Sequence, residues 1–294
     1  MLPSGVLVPL VTPFTPDDRV DRDAVARLAH EALTDGAAGL VALGTTAEAA
    51  TLDTAERAAV LDVCRSVARE HNAPLVVGAG SNDTAATARA LAALPSDIAA
   101  ALVVVPPFTR PSVDGVVAHF RALGAASPVP LVVYNVPYRT GLTLDAGTVL
   151  RVAALPGVAA TKHSVGAVDP DTVALLARRP AGFGVYAGDD ILASPLLALG
   201  ADGGILASAH VHTGRFADLV SAWHNGEVDR ARAIGHRLAA LSAALFAEPN
   251  PVVVKAVLHA QSRIGTPAVR LPLLPASPAA TATAMVHVDR LAQD

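Results

Sequence analysis

Residues 5–44 read GVLVPLVTPFTPDDRVDRDAVARLAHEALTDGAAGLVALG. At each end stands a short apolar run, GVLVPLVT (5–12) and GLVALG (39–44), of a length and composition suited to a buried strand. Between them, DRDAVARLAHEALTDG (21–36) carries Ala, Leu, Arg and Glu at helical spacing, with Asp21 placed to cap its start and Gly36 to end it. The stretch is one strand–helix–strand unit. Six more strand-like runs follow: PLVVGAG (74–80), AALVVVPP (100–107), PLVVYNVP (130–137), GVAATK (157–162), GVYAGDD (184–190) and GGILAS (203–208). Successive starts fall roughly 20–35 residues apart, room each time for strand, loop, helix and return loop.

Eight buried strands alternating with helices predict an α/β fold of the (β/α)8 TIM barrel type. A doubly wound sheet, the competing architecture, would place a glycine-rich phosphate turn after its first strand, and VTPFTPDD (11–18) is not one. From about Ala222 the strand signal stops. VDRARAIGHRLAALSAALF (228–246), NPVVVKAVLHAQSRIG (250–265) and ATATAMVHVDRLAQD (280–294) read as helices. The expected organisation is a barrel over 1–222 that carries the active site, with a helical segment over 223–294 packed on it.

The 294 residues are 52% hydrophobic with a net charge of −4 and scattered signs. No basic patch points to nucleic acid. No stretch offers the roughly 18 unbroken apolar residues of a membrane helix. The prolines and missing basic residues of MLPSGVLVPLVTPF make a poor signal peptide, so a cytoplasmic protein is expected. The single cysteine, Cys64, lies in a helical run and reads as core.

In such barrels the chemistry sits at the carboxyl ends of the strands. There the sequence puts Thr12, Gly44-Thr45-Thr46, Pro106-Pro107-Phe108, Tyr134-Asn135, Lys162, Gly188-Asp189-Asp190 and Ser208, with His210 nearby. Lysine is rare in this chain: of 22 Lys and Arg residues only Lys162 and Lys255 are lysine. Arginine keeps its proton and cannot attack a carbonyl. A lysine can form a Schiff base once its amine is neutral, and a wall of Val, Ala and Leu supplies the desolvation that neutralises it. In water only about one lysine in a few thousand is neutral at pH 7. A structural reading stays open beside this one, in which Lys162 caps a strand end or pairs with Asp189 or Asp190.

GTTAEAATL (44–52), YNVPYRTG (134–141), the strand ending in Lys162, AGDD (187–190) and GADGGI (200–205) occur in this order at barrel spacing. With them the chain resembles, over essentially its whole length, the family of dihydrodipicolinate synthases and N-acetylneuraminate lyases. The resemblance implies a class I aldolase or synthase that uses or releases pyruvate and needs no metal or organic cofactor. It implies that Lys162 forms the imine, that Tyr134 and Thr45 move protons and that Thr46 holds the pyruvate carboxylate. The backbone near Gly188 and the main-chain carbonyl of Ile205 would complete the pocket. Arg139 would meet the carboxylate of a second, acidic aldehyde, which makes dihydrodipicolinate synthesis the expected reaction. A related sugar-acid aldolase or dehydratase is the alternative within the family. A homotetramer built from tight dimers is expected.

Some positions depart from the family pattern. Phe108 stands where synthases usually carry a relay tyrosine, with Tyr138 and Ser208 as possible substitute hydroxyls. Ala47 replaces a glycine, and His163 an acidic residue. Alternation along a strand turns His163 away from Lys162. Thr54 and Arg57 occupy positions where lysine-inhibited synthases tend to have histidine, so feedback inhibition by lysine is not expected. Two rival readings follow from other residues. His210 and His212, with Asp189, Asp190 and His163, could form a metal site, and Phe108 could mark a 2-oxo acid sensor without turnover.

Overall fold

The computed structural model describes residues 2–292. Eight parallel strands close into a barrel in chain order. They are β1 (Gly5–Pro9), β2 (Gly39–Ala42), β3 (Leu75–Gly78), β4 (Ala100–Val104), β5 (Leu131–Asn135), β6 (Val158–His163), β7 (Gly184–Ala187) and β8 (Gly203–Ile205). Each expected strand is present. Seven of them stop two or three residues before the sequence pattern does, because the chain there turns out of the ladder into loops. Those loops carry much of the site. β6 instead runs one residue further, to His163, so Lys162 sits inside a paired strand.

The barrel closes where β1 meets β8 with Gly5 opposite Gly203. A Cβ on Gly203 would stand 1.8 Å from the Gly5 carbonyl oxygen, so only glycine permits this approach. Inside the barrel, Leu7, Val41, Val76, Leu102, Val132 and Tyr186 pack one against another. The lumen is therefore a filled core. At its lower end the Tyr186 hydroxyl donates to the Pro3 carbonyl at 3.0 Å. A second apolar layer lies between strands and helices.

The helix expected after β1 spans Arg22–Thr34, and Asp21 caps it by accepting from the Ala24 N–H at 2.9 Å. Cys64 is fully buried in the helix Thr54–Glu70, and burial pushes its thiol up to about 12. The tail forms helices Val228–Leu245, Val252–Ala260 and Pro278–Ala292. The first packs on helix Thr213–His224 and on the last. The expected boundary at 222/223 falls within Thr213–His224. Residues 293 and 294, in the last expected helix, lie outside the described residues. Among the described residues no helix is long and apolar enough to cross a membrane.

Candidate active site

Strand parity builds the centre of the site. β5 and β6 pair with Tyr134 opposite Lys162, and both side chains share the inward face with Val132 and Ala160. The Lys162 Nζ lies 4.5 Å from the centre of the Tyr134 ring. His163, one residue on, faces outward, and its Nε2 lies 3.0 Å from the Thr172 hydroxyl. Burial pushes His163 down to about 4, so it is neutral at physiological pH.

Gly188, just past β7, makes room for the lysine. A Cβ there would come within 2.7 Å of the Lys162 Cγ and 2.1 Å of the Ser164 Oγ. Its N–H donates to the His163 carbonyl at 2.8 Å, which ties this corner to β6. Two carboxylates follow it. Asp189 accepts from the Gly166 N–H and Asp190 from the Ser208 N–H, each at 2.6 Å. Burial raises both, Asp190 to about 6.

These surroundings set the charge of the amine. Lys162 is only 7% exposed and makes no hydrogen bond to another described residue. Burial lowers its pKa, Asp190 and Asp189 pull it back up, and Arg139 lowers it a little further, to about 8. At pH 7 about one amine in ten is then neutral, against one in a few thousand for a free lysine. Tyr134 is raised by burial, so its phenol holds its proton at neutral pH and can donate it.

Thr45–Ala47 form a tight single turn after β2, whose leading N–H groups have no partner within it. Thr46 is buried, and its Oγ1 accepts from the Asn250 Nδ2 at 3.0 Å. Ala47 adopts ordinary negative φ, and it is Glu48 that takes the left-handed conformation, at φ 52°. The glycine expected at position 47 is thus not required by this turn.

Lys162, Tyr134, Thr45, Thr46, Arg139 and Gly188 line one cavity of about 420 Å³. Ile205 does not line it: its side chain is fully buried in the barrel interior. Ser164, Asp189 and Asp190 complete the inner wall, and the segment Phe246–Asn250 closes one side. That segment was not legible as part of the site, since only the fold brings it to the Thr46 turn. A second cavity of about 430 Å³ adjoins the first through Thr45, Tyr134, Arg139 and Asn250.

The set considered for a metal does not converge. The His210 Nε2 accepts from the Val11 N–H at 3.0 Å, His163 faces Thr172, and Asp190 is held by Ser208. Among the described residues no three His, Cys, Asp or Glu side chains gather as a metal site. Phe108 is 90% exposed on the loop after β4, outside this cavity.

A desolvated lysine beside a phenol, at the mouth of a closed barrel, is the arrangement that suits an enzyme with an amine nucleophile. The comparisons narrow that class. The chain matches the dihydrodipicolinate synthetase family over residues 2–290 and belongs to it. Enzymes of this family are class I, pyruvate-dependent aldolases and synthases, and this chain is an enzyme of that class. It is 40% identical over 277 residues to 4-hydroxy-tetrahydrodipicolinate synthase of Moorella thermoacetica, covering 92% of each chain. The Salinibacter ruber synthase is 39% identical, with 94% and 91% covered. Dihydrodipicolinate synthase from Thermotoga maritima superposes with a TM-score of 0.94 at 29% identity, covering 99% of both chains. The chloride-inhibited synthase of Acinetobacter baumannii complexed with pyruvate gives 0.92 at 31%, with 97% and 98% covered.

Proposed function

We propose that this chain joins pyruvate to an acidic aldehyde by the chemistry of 4-hydroxy-tetrahydrodipicolinate synthase, with Lys162 as nucleophile. The observation that carries the assignment of Lys162 is its burial beside Tyr134 with a pKa brought down to about 8. The neutral amine attacks the keto carbon of pyruvate, and loss of water leaves an imine. Tyr134 donates the proton that lets hydroxide leave as water, and Thr45 lies in the same cavity to pass protons on. Removal of a methyl proton converts the imine to an enamine, whose carbon attacks the aldehyde. Hydrolysis then frees Lys162. Thr46 and the turn around it hold the pyruvate carboxylate, since N–H groups and a hydroxyl suit an anion.

Arg139 supports the acidic character of the aldehyde. It lines the cavity, and among the described residues no carboxylate lies within ion-pair distance of it. A guanidinium fork suits a substrate carboxylate. Gly188 contributes space and backbone, and Ile205 contributes at most its main chain. We further place the enzyme in the cytoplasm as a homotetramer, the location and assembly that the resemblance to the family implies.

The deciding experiment is incubation with pyruvate and borohydride, followed by intact mass and peptide mapping. The expected product gains the mass of pyruvate less one oxygen atom, on the peptide containing Lys162. The variant Lys162→Met should show no such gain at that peptide. An unmodified Lys162 in the folded wild-type protein would overturn the reading.

A further inference from the structure

Tyr138 and Arg139, on the short helix Pro137–Thr140 that follows β5, line part of the cavity that holds Lys162. Tyr134 at the end of β5 lies deep, while Tyr138, four residues on, is 70% exposed and stands at the mouth. The Tyr138 ring lies under the Arg139 guanidinium, whose central carbon is 4.8 Å from the ring centre. Both residues line the main cavity and also a shallow outer depression shared with Phe108 and Arg110. Tyr138 and Arg139 therefore join the outer depression to the cavity that holds Lys162. Phe108 has no hydrogen-bonding group, so the aromatic hydroxyl on this outer wall is that of Tyr138. Burial raises the pKa of Tyr138, which keeps the phenol a donor at neutral pH.

We propose that Tyr138 determines acceptor specificity: its phenol hydroxyl and the Arg139 guanidinium together bind the carboxylate of the incoming aldehyde at the mouth of the cavity. The inference rests on the reading of this site as a pyruvate–aldehyde synthase and adds a recognition group to it. Stacking under Arg139 fixes the ring, so the hydroxyl is presented in a set direction beside the guanidinium. A hydroxyl and a guanidinium converging on one carboxylate give charge-assisted hydrogen bonds. An aldehyde without a carboxylate gains nothing from either group.

The test uses the full-length enzyme, saturating pyruvate, and two four-carbon acceptors, succinic semialdehyde and butanal. Pyruvate consumption is followed for the wild type and Tyr138→Phe, which keeps the ring and its stacking and removes only the hydroxyl. Loss of one hydrogen bond to a charged group at a partly open site should raise the half-saturating concentration of succinic semialdehyde roughly tenfold. The value for butanal should move less than twofold, so selectivity for the acid falls by about the same tenfold factor. Borohydride trapping of pyruvate on Lys162 in the variant shows separately that the inner chemistry survives. Equal responses to the two aldehydes in the wild type, or no change in acid selectivity in Tyr138→Phe, would overturn the proposal. If trapping fails in the wild type, the broader pyruvate reading fails instead.

Discussion

The two lysines of this chain are both buried, and burial lowers the pKa of each, yet their surroundings differ. Lys255, fully buried in helix Val252–Ala260, donates to the Glu48 carboxylate at 2.7 Å and to the Thr12 carbonyl at 2.9 Å. Its Nζ also lies 4.2 Å from the centre of the Phe14 ring. These contacts favour the cation against the burial that opposes it. Around Lys162 there are two carboxylates, Asp189 and Asp190, but neither reaches the amine within ion-pair distance, whereas Glu48 pairs with Lys255 at 2.7 Å. What separates the two lysines is whether a carboxylate stands within ion-pair distance of the amine.

The largest effect on the reactive side should come from Tyr134→Phe. Removing a general acid slows a proton-transfer step by about 10²–10⁴-fold. Steady-state pyruvate consumption should fall by such a factor while the protein melts near the wild-type temperature. A fall below tenfold would mean that another hydroxyl, such as that of Ser164, moves the proton.

On the structural side, Lys255→Met leaves Glu48 buried without its cation. Breaking a buried pair in this way costs about 3–5 kcal/mol, readable by urea unfolding. Glu48→Gln in the same chain removes the stranded charge and keeps an acceptor for the Arg270 N–H, which donates to Glu48 at 2.9 Å. The double variant should recover more than half of the loss. If Lys255→Met alone is neutral, the pair contributes nothing to the fold and the contrast between the lysines collapses.

The smallest expected effect is on pH dependence. Imine formation requires the free amine, so its rate should climb about tenfold per pH unit below 8 and flatten above it. The sign for stability follows from the same shift. An unfolded lysine holds its proton to about pH 10.4, so between 8 and 10.4 the unfolded chain binds more protons. The Lys162 contribution to stability therefore rises with pH across that window. Lys162→Met should flatten the rise. A pyruvate-trapping profile with its midpoint near 10 would show that the amine is not desolvated.

Much of this was legible in the sequence because strands declare themselves by composition and their side chains alternate. That alternation was enough to aim Lys162 inward and His163 outward, and the paired register adds that Tyr134 is its neighbour. The position of Gly188 beside Lys162 follows from the same ladder. Residues that meet across long sequence separations were not legible. Asn250 reaches Thr46 over 204 positions, and Lys255 reaches Glu48 over 207. Lys255 also sits in the apolar run PVVVKAVL (251–258), where nothing local names its partner. Ile205 is a case where side chain and main chain must be read apart. The sequence locates it at a strand end, but only packing shows its side chain filling the barrel interior.

Lys162 lies within a hydrogen-bonded strand, whereas Tyr138 and Arg139 lie on a short connection after β5 that contributes no rung to the ladder. Substitutions in that connection leave the pairing of β5 with β6 untouched. Over evolutionary time a protein so built can edit these four residues at the rim while Lys162 keeps its position, and only Arg139, which lowers the amine a little, ties the rim to its acidity. The barrel thus separates the inheritance of a reaction from the inheritance of a preference.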